Sequence, residues 1–144
     1  AYSCDGALEP MPTDVLDATA DAALVVDDYF GALDAGRFDE AAACFSQDVY
    51  YSHPPYRHTG LDGPERRNFR GRDQLAAAFR ERGQTSFGHE VTASVQRGPH
   101  CIFEGRITDL PGGATITFLS SLTLGADGTI RRYVSFYCDG EVVR

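Results

Sequence analysis

The stretch from Val25 to Pro54, VVDDYFGALDAGRFDEAAACFSQDVYYSHP, constrains the fold of this chain more than any other. It joins an apolar stripe at helical spacing, a glycine, a second short stripe and an alternating run that ends in His53-Pro54. Leu16, Ala20 and Ala23, with the row Ala22, Val26, Tyr29 and Leu33, recur at the period of an amphipathic helix. Thr13 is the expected N-cap, Asp14 suits the dipole of the first turn, and Gly36 is the natural stop. Phe38, Ala41, Ala42 and Phe45 make a second, shorter apolar face. Val49 to His53 then alternates as a strand, which places Val49, Tyr51 and His53 on one face. Pro54-Pro55 must end it, because proline supplies no ladder donor.

Beyond that stretch the punctuation is equally plain. Residues 55–71, rich in Arg, Gly and Pro, are expected to form a long polar loop. Arg72 to Gly83 reads as a third helix, with Leu75, Ala78, Phe79 and Arg82 at helical spacing. Strands are expected over Phe87–Gln96, Cys101–Asp109, Ala114–Leu124 and Ile130–Cys138, with turns at Pro111-Gly112-Gly113 and Ala126-Asp127-Gly128. Helices first and an antiparallel meander afterwards predict an α+β domain, with three N-terminal helices packed on a curved, mostly antiparallel sheet. The 144 residues suit a single domain. Residues 1–12 would form an extended arm, and 13–144 the domain itself.

Composition narrows the function classes. The 21 acidic and 13 basic residues leave a net charge of -8, and the acids are scattered, so nucleic acid is not an expected partner. Every basic residue is Arg, which removes Schiff-base chemistry through a lysine. No apolar run approaches the ~20 residues that span a bilayer, and AYSCDGALEPMP lacks the features of a signal peptide. A cytoplasmic protein that does not engage membranes is the expectation. Cys4, Cys44, Cys101 and Cys138 are spaced for neither zinc nor a compact disulfide framework, and are expected to be buried free thiols. No cofactor and no metal is expected; the two imidazoles of HPPYRH, His53 and His58, belong to no metal motif.

The helix-turn-strand pattern resembles the opening of the nuclear transport factor two-like superfamily, which includes ketosteroid isomerase and the SnoaL-type polyketide cyclases. VVDDYFGALDAGRFD is similar in spacing to the first helix and turn of the isomerases, and Ile102 to Cys138 resembles their last two hairpins. The resemblance implies a cone-shaped pocket between helices and sheet. It sets Tyr29 at the position of an oxyanion-hole tyrosine, His53 at that of a catalytic aspartate followed by proline, and Ser120 at that of a second oxyanion-hole acid. Two of these differ from the isomerase pattern, which argues against a steroid isomerase.

Strand parity and the resemblance together nominate the pocket residues. His53 is the expected general base, opposite Tyr29, with His89 paired to it around a water. His89 shares a face with Phe87, Val91, Ala93 and Val95, while Ser120 lies in the row Ile116, Phe118, Leu122 and Leu124. Tyr51, Ser120, Tyr133 and Tyr137 are expected to touch substrate, with Ser135 also turned inward and Val134, Phe136 and Cys138 turned outward. Among Arg57, Arg66, Arg67 and Arg70, most are expected on surface acids, with Arg57 the candidate to clamp a carboxylate or enolate. The expected function is a cofactor-independent isomerase, cyclase or dehydratase acting on a small, largely apolar carbonyl- or enol-bearing molecule. The competing readings are a ligand-binding module without catalysis and a structural subunit of a homodimer, suggested by the outward apolar row of the last strand.

Overall fold

The computed structural model describes residues 20–139, so the expected arm, the Thr13 cap and Cys4 lie outside the described residues. Helix α1 spans Ala22–Asp34, and Asp21 caps it by accepting a hydrogen bond from the Ala23 amide. Its first turn is therefore later than the apolar period alone suggested, because a backbone in the extended region at Asp21 breaks the helix there. The stop is where expected. Gly36 takes a positive φ of 74°, the Gly36 amide bonds Leu33 O and the Arg37 amide bonds Ala32 O, the paired bonds of a Schellman turn.

Helix α2 covers Phe38–Ala43, and strand β1 follows at once over Phe45–His53. Phe45 thus opens the strand and does not extend the helix. The expected polar loop contains a short edge strand, β2 (Arg67–Arg70), antiparallel to β1. Helix α3 (Arg72–Arg82) follows these two strands, one of them expected and one not, so the three helices are not all N-terminal to the sheet. Strands β3 (Gly88–Arg97), β4 (His100–Thr108), β5 (Ile116–Leu124) and β6 (Ile130–Asp139) complete the meander. The sheet order is β2-β1-β6-β5-β4-β3, antiparallel throughout except for β1 against β6. No helix among the described residues is long and apolar enough to cross a membrane.

The core lies between α1 and the sheet. Tyr29 is its hub, packed edge-on against Phe45 and Tyr133 and stacked on Phe79. Each such ring pair contributes about 0.5–1.5 kcal/mol beyond its burial. The inward parity of β1, β5 and β6 is as the alternation requires, with Val49, Tyr51, Ile116, Phe118, Ser120, Tyr133 and Ser135 all buried. Parity fails in β3. A bulge between Val91 and Ala93 inserts Thr92, so Ala93 and Val95 turn to the outer face and Val95 is 75% exposed. Val134 is buried despite facing outward, whereas Phe136 and Cys138 are exposed. An exposed Cys138 corrects the expectation of uniformly buried thiols.

Candidate active site

A small cavity opens where α1, the end of α3 and the inner sheet face meet, lined from β1 by Tyr51 and His53 and from β3 by His89. Its volume is about 20 Å³, room for a single water and no more. The open cone implied by the resemblance is instead largely filled by rings, because Tyr29, Phe30, Phe118 and Tyr133 all project into it.

Tyr29 and Tyr51 hydrogen-bond through their hydroxyls at 3.0 Å. Burial pushes both phenols well above the ordinary value, and their mutual repulsion adds to the shift of Tyr51. Both are therefore neutral donors at any physiological pH. Whichever hydroxyl accepts in this pair keeps its own O–H to donate elsewhere.

His53 has both ring nitrogens engaged. Nδ1 lies 2.8 Å from the Pro54 carbonyl and Nε2 lies 3.0 Å from the Tyr137 hydroxyl. A carbonyl only accepts, so Nδ1 carries the proton and Tyr137 donates to Nε2. The ring is stacked on Tyr56 at 4.2 Å. Burial drives its pKa down from 6.5 to about 3, despite the opposing effect of the bond to Pro54. Tyr137, raised by burial, stays protonated beside it.

His89 is set differently. Its Nδ1 donates to Asp34 Oδ1 at 2.7 Å, and its backbone amide donates to Asp34 Oδ2 at 2.8 Å. Both carboxylate oxygens are committed to one residue, which fixes ring and tautomer together. Phe30 stacks on the imidazole at 4.6 Å with planes 1° apart. Nε2 is the remaining nitrogen of a ring that lines the cavity. The expected pairing of His89 is with His53; the observed partner is Asp34.

Other nominees fall in three places. Tyr133, Tyr137 and Arg57 line the cavity with Tyr29, Tyr51, His53 and His89. Ser120 stands behind that lining, where it donates to Ser135 at 2.9 Å and meets the Tyr133 hydroxyl at 3.2 Å. Among the described residues the remaining loop arginines do not sit on surface acids. Arg66 bonds Ser52 and the Ser135 carbonyl and covers Phe136, while Arg67 and Arg70 lie over Phe69 and Tyr50.

Three lining or supporting residues were missed. Asp34 ends α1, where a carboxylate opposes the helix dipole, and that misplacement was the available signal. Arg82 lies on the buried face of α3 with Leu75 and Phe79, a cation at an apolar position. Tyr56 belongs to a strap crossing the cavity, tied down where the Gly60 amide bonds Arg82 O at 2.9 Å. A Cβ at Gly60 would stand 2.2 Å from Glu81 O, so the close approach admits glycine alone. Among the described residues no three His, Cys, Asp or Glu side chains converge as a metal would need.

Residues 26–133 match the profile of the SnoaL-like domain. The chain belongs to that family. Solved structures place this SnoaL-like protein beside a ketosteroid isomerase-like protein from Kribbella flavida, at 20% identity, TM-score 0.62 and coverage of 84% of this chain and 80% of that one. A protein from Sphaerobacter thermophilus matches at 20% identity and TM-score 0.63, over 84% and 98%. The epoxide hydrolase/cyclase-like enzyme SalBIII, acting in pyran ring formation in the polyether salinomycin, matches at 15% identity and TM-score 0.60, over 81% and 89%. At these identities the likeness is one of fold. No curated protein sequence matches the chain.

Proposed function

We propose that this SnoaL-like protein is a cofactor-independent enzyme that moves a proton on a small carbonyl- or enol-bearing molecule, in an isomerisation, cyclisation or dehydration. The observation that carries the reading is the His89–Asp34 pair, with a 2.7 Å bond at Nδ1 and Nε2 left for the cavity. A base must be oriented and must have a lone pair to offer, and His89 satisfies both conditions. In this scheme Nε2 takes a proton from carbon next to a carbonyl, the C–H electron pair moves into the enolate, and Asp34 steadies the imidazolium. The phenol hydroxyl left over from the Tyr29–Tyr51 pair donates to the enolate oxygen. His89 then returns the proton to another carbon, to the hydroxide that the enolate expels as water, or to the alkoxide formed when the enolate attacks a second carbonyl. His53 supports the site by holding Tyr137, and is not the base in this scheme. Substrate entry requires a ring to move aside. Tyr56, carried on the strap and not on a helix or strand, is the candidate.

Deuterium exchange at the α-carbon of simple ketones and 1,3-diketones in heavy water tests this directly. The wild type should accelerate exchange, and His89→Ala should return it to the solvent rate. Exchange that is no faster than solvent for every compound would leave the readings without catalysis, of which the nearly filled cavity favours the structural subunit, and exchange that survives in His89→Ala would move the base to another residue.

We also propose a homodimer through the outer sheet face, supported by exposed Val95, Ile102, Leu119 and Phe136. Leu119 pairs with Phe136 and Ile102 with Val95 across neighbouring strands. Light scattering should return roughly twice the 15.7 kDa chain mass, and Phe136→Glu should return the single-chain value.

A further inference from the structure

The chain carries a net charge of -8, yet among the described residues the cavity lining contains Arg57 and Arg82 and no acidic side chain. Arg82 is the unusual member. It is 4% exposed, although guanidinium groups are almost never buried without a partner. Of its five N–H donors, the only hydrogen bond among the described residues is from Nη1 to the neighbouring Gly83 carbonyl at 3.3 Å. The Phe87 ring lies 5.5 Å from the guanidinium carbon, and no carboxylate among the described residues forms an ion pair with it. Arg80, two residues earlier on the same helix, shows the ordinary arrangement, an exposed pair with Asp39. Burying a charge without a counter-charge is costly, so such a group is retained where something else supplies the charge.

Its position shows where that charge would sit. Burial is the largest influence on the titration of Tyr29, His53, Tyr56 and Tyr137, but the positive field of Arg82 reaches all four. Arg82 also lines the cavity together with these phenols and imidazoles. The Arg82 carbonyl also holds the strap through the Gly60 amide, so the residue belongs at once to the cavity wall and to its cover.

We propose that Arg82 is the anion anchor of this cavity, and that the molecule bound there bears a carboxylate beside its carbonyl or enol, as an oxo acid does. The inference deepens the proton-transfer reading and rests on it only for the reacting end of the molecule. A planar fork of N–H donors matches a carboxylate in two-point contact, and the aromatic lining leaves the rest of the ligand dry. The carboxylate supplies the missing counter-charge. His89 then meets the carbon next to the carbonyl, and the Tyr29–Tyr51 pair meets its oxygen.

The test uses formate, acetate and benzoate against formamide, acetamide and benzamide, at constant ionic strength, with thermal denaturation and calorimetry on the wild type, Arg82→Met and Arg82→Lys. At least one carboxylate should raise the wild-type Tm while its amide does not. Arg82→Met should weaken that binding by roughly 30-fold or more, the usual result of removing one member of a buried charge pair, and Arg82→Lys should restore part of it. Without ligand, Arg82→Met should melt at or above the wild-type temperature, because a buried unpaired charge has been removed. A structural arginine serving only the α3 dipole would instead lower it by several degrees. Amides binding as well as carboxylates, carboxylates binding Arg82→Met unchanged, no carboxylate binding at all, or an unliganded Arg82→Met that melts several degrees low would each overturn the proposal. Proton exchange is measured on the same three proteins. Carboxylate binding without proton exchange would therefore defeat the catalytic reading alone, and exchange without Arg82 dependence would defeat the anchor alone.

Discussion

The two imidazoles of the cavity lining come from opposite parts of the sheet, His53 from the end of β1 and His89 from the start of edge strand β3. They share a chamber, and both side chains are buried and stacked on an aromatic ring, but they differ in the partners of their nitrogens. His53 is held by a backbone carbonyl and a phenol, with both nitrogens spent and burial suppressing its cation. His89 is held by a carboxylate at one nitrogen, and the other is left over. The carbonyl on His53 brings only a partial negative charge to the ring it orients, whereas the carboxylate on His89 brings a full one. Residue type and placement in a pocket are thus insufficient to assign a base, and the partner of the second nitrogen decides.

The largest effect should come from exchanging these roles. His89→Ala is expected to lower deuterium exchange by about 10²–10⁴-fold, the usual contribution of a positioned base, with His53→Gln within about tenfold of wild type. Asp34→Asn should fall between them in the same assay. Equal losses for both histidines would erase the distinction.

A second measurement concerns the His53 region alone. Gly60→Ala forces Cβ against Glu81 O, so the strap that carries Tyr56 must shift. A loss of about 1–3 kcal/mol in denaturant titration is expected, as for other overpacked sites, with amide exchange of residues 56–63 accelerated and that of Asp34 and His89 unchanged. Uniform acceleration would show that the two regions are one cooperative unit.

The third measurement concerns pH dependence. The folded pKa of His53 lies near 3 and the unfolded value near 6.5, so the unfolded chain binds the extra proton between them. Stability from this group is full above pH 6.5 and is lost as pH falls toward 3, by at most about 1.4 kcal/mol per pH unit. The Tm difference between wild type and His53→Gln should therefore narrow on acidification. A constant difference would place His53 in a wetter setting than its burial implies.

Much of this arrangement was legible in the amino-acid order. The period of Val26, Tyr29 and Leu33 and the Gly36 stop located α1, and alternation turned Tyr51, His53 and Tyr133 inward. What alternation cannot register is a bulge, and Thr92 accordingly reversed Ala93 and Val95. Nor does local pattern report pairings across the fold. Asp34 and His89 are 55 residues apart, and their bond depends on how a helix end meets a strand start. Tyr56 and Leu61 lie in a segment too polar on average to suggest burial, yet both are buried beneath it.

The Schellman turn at Gly36 has a consequence for the chemistry. Each residue advances an α-helix by about 100°, and Asp34 is the last residue of α1 before the turn. One residue inserted ahead of the acid would swing its carboxylate roughly a quarter of the way round the helix axis, away from β3. The placement of a single glycine thus acts as a ruler for the reach between acid and imidazole, and natural variants that lengthen or shorten this helix should lose the pair together with any activity that depends on it.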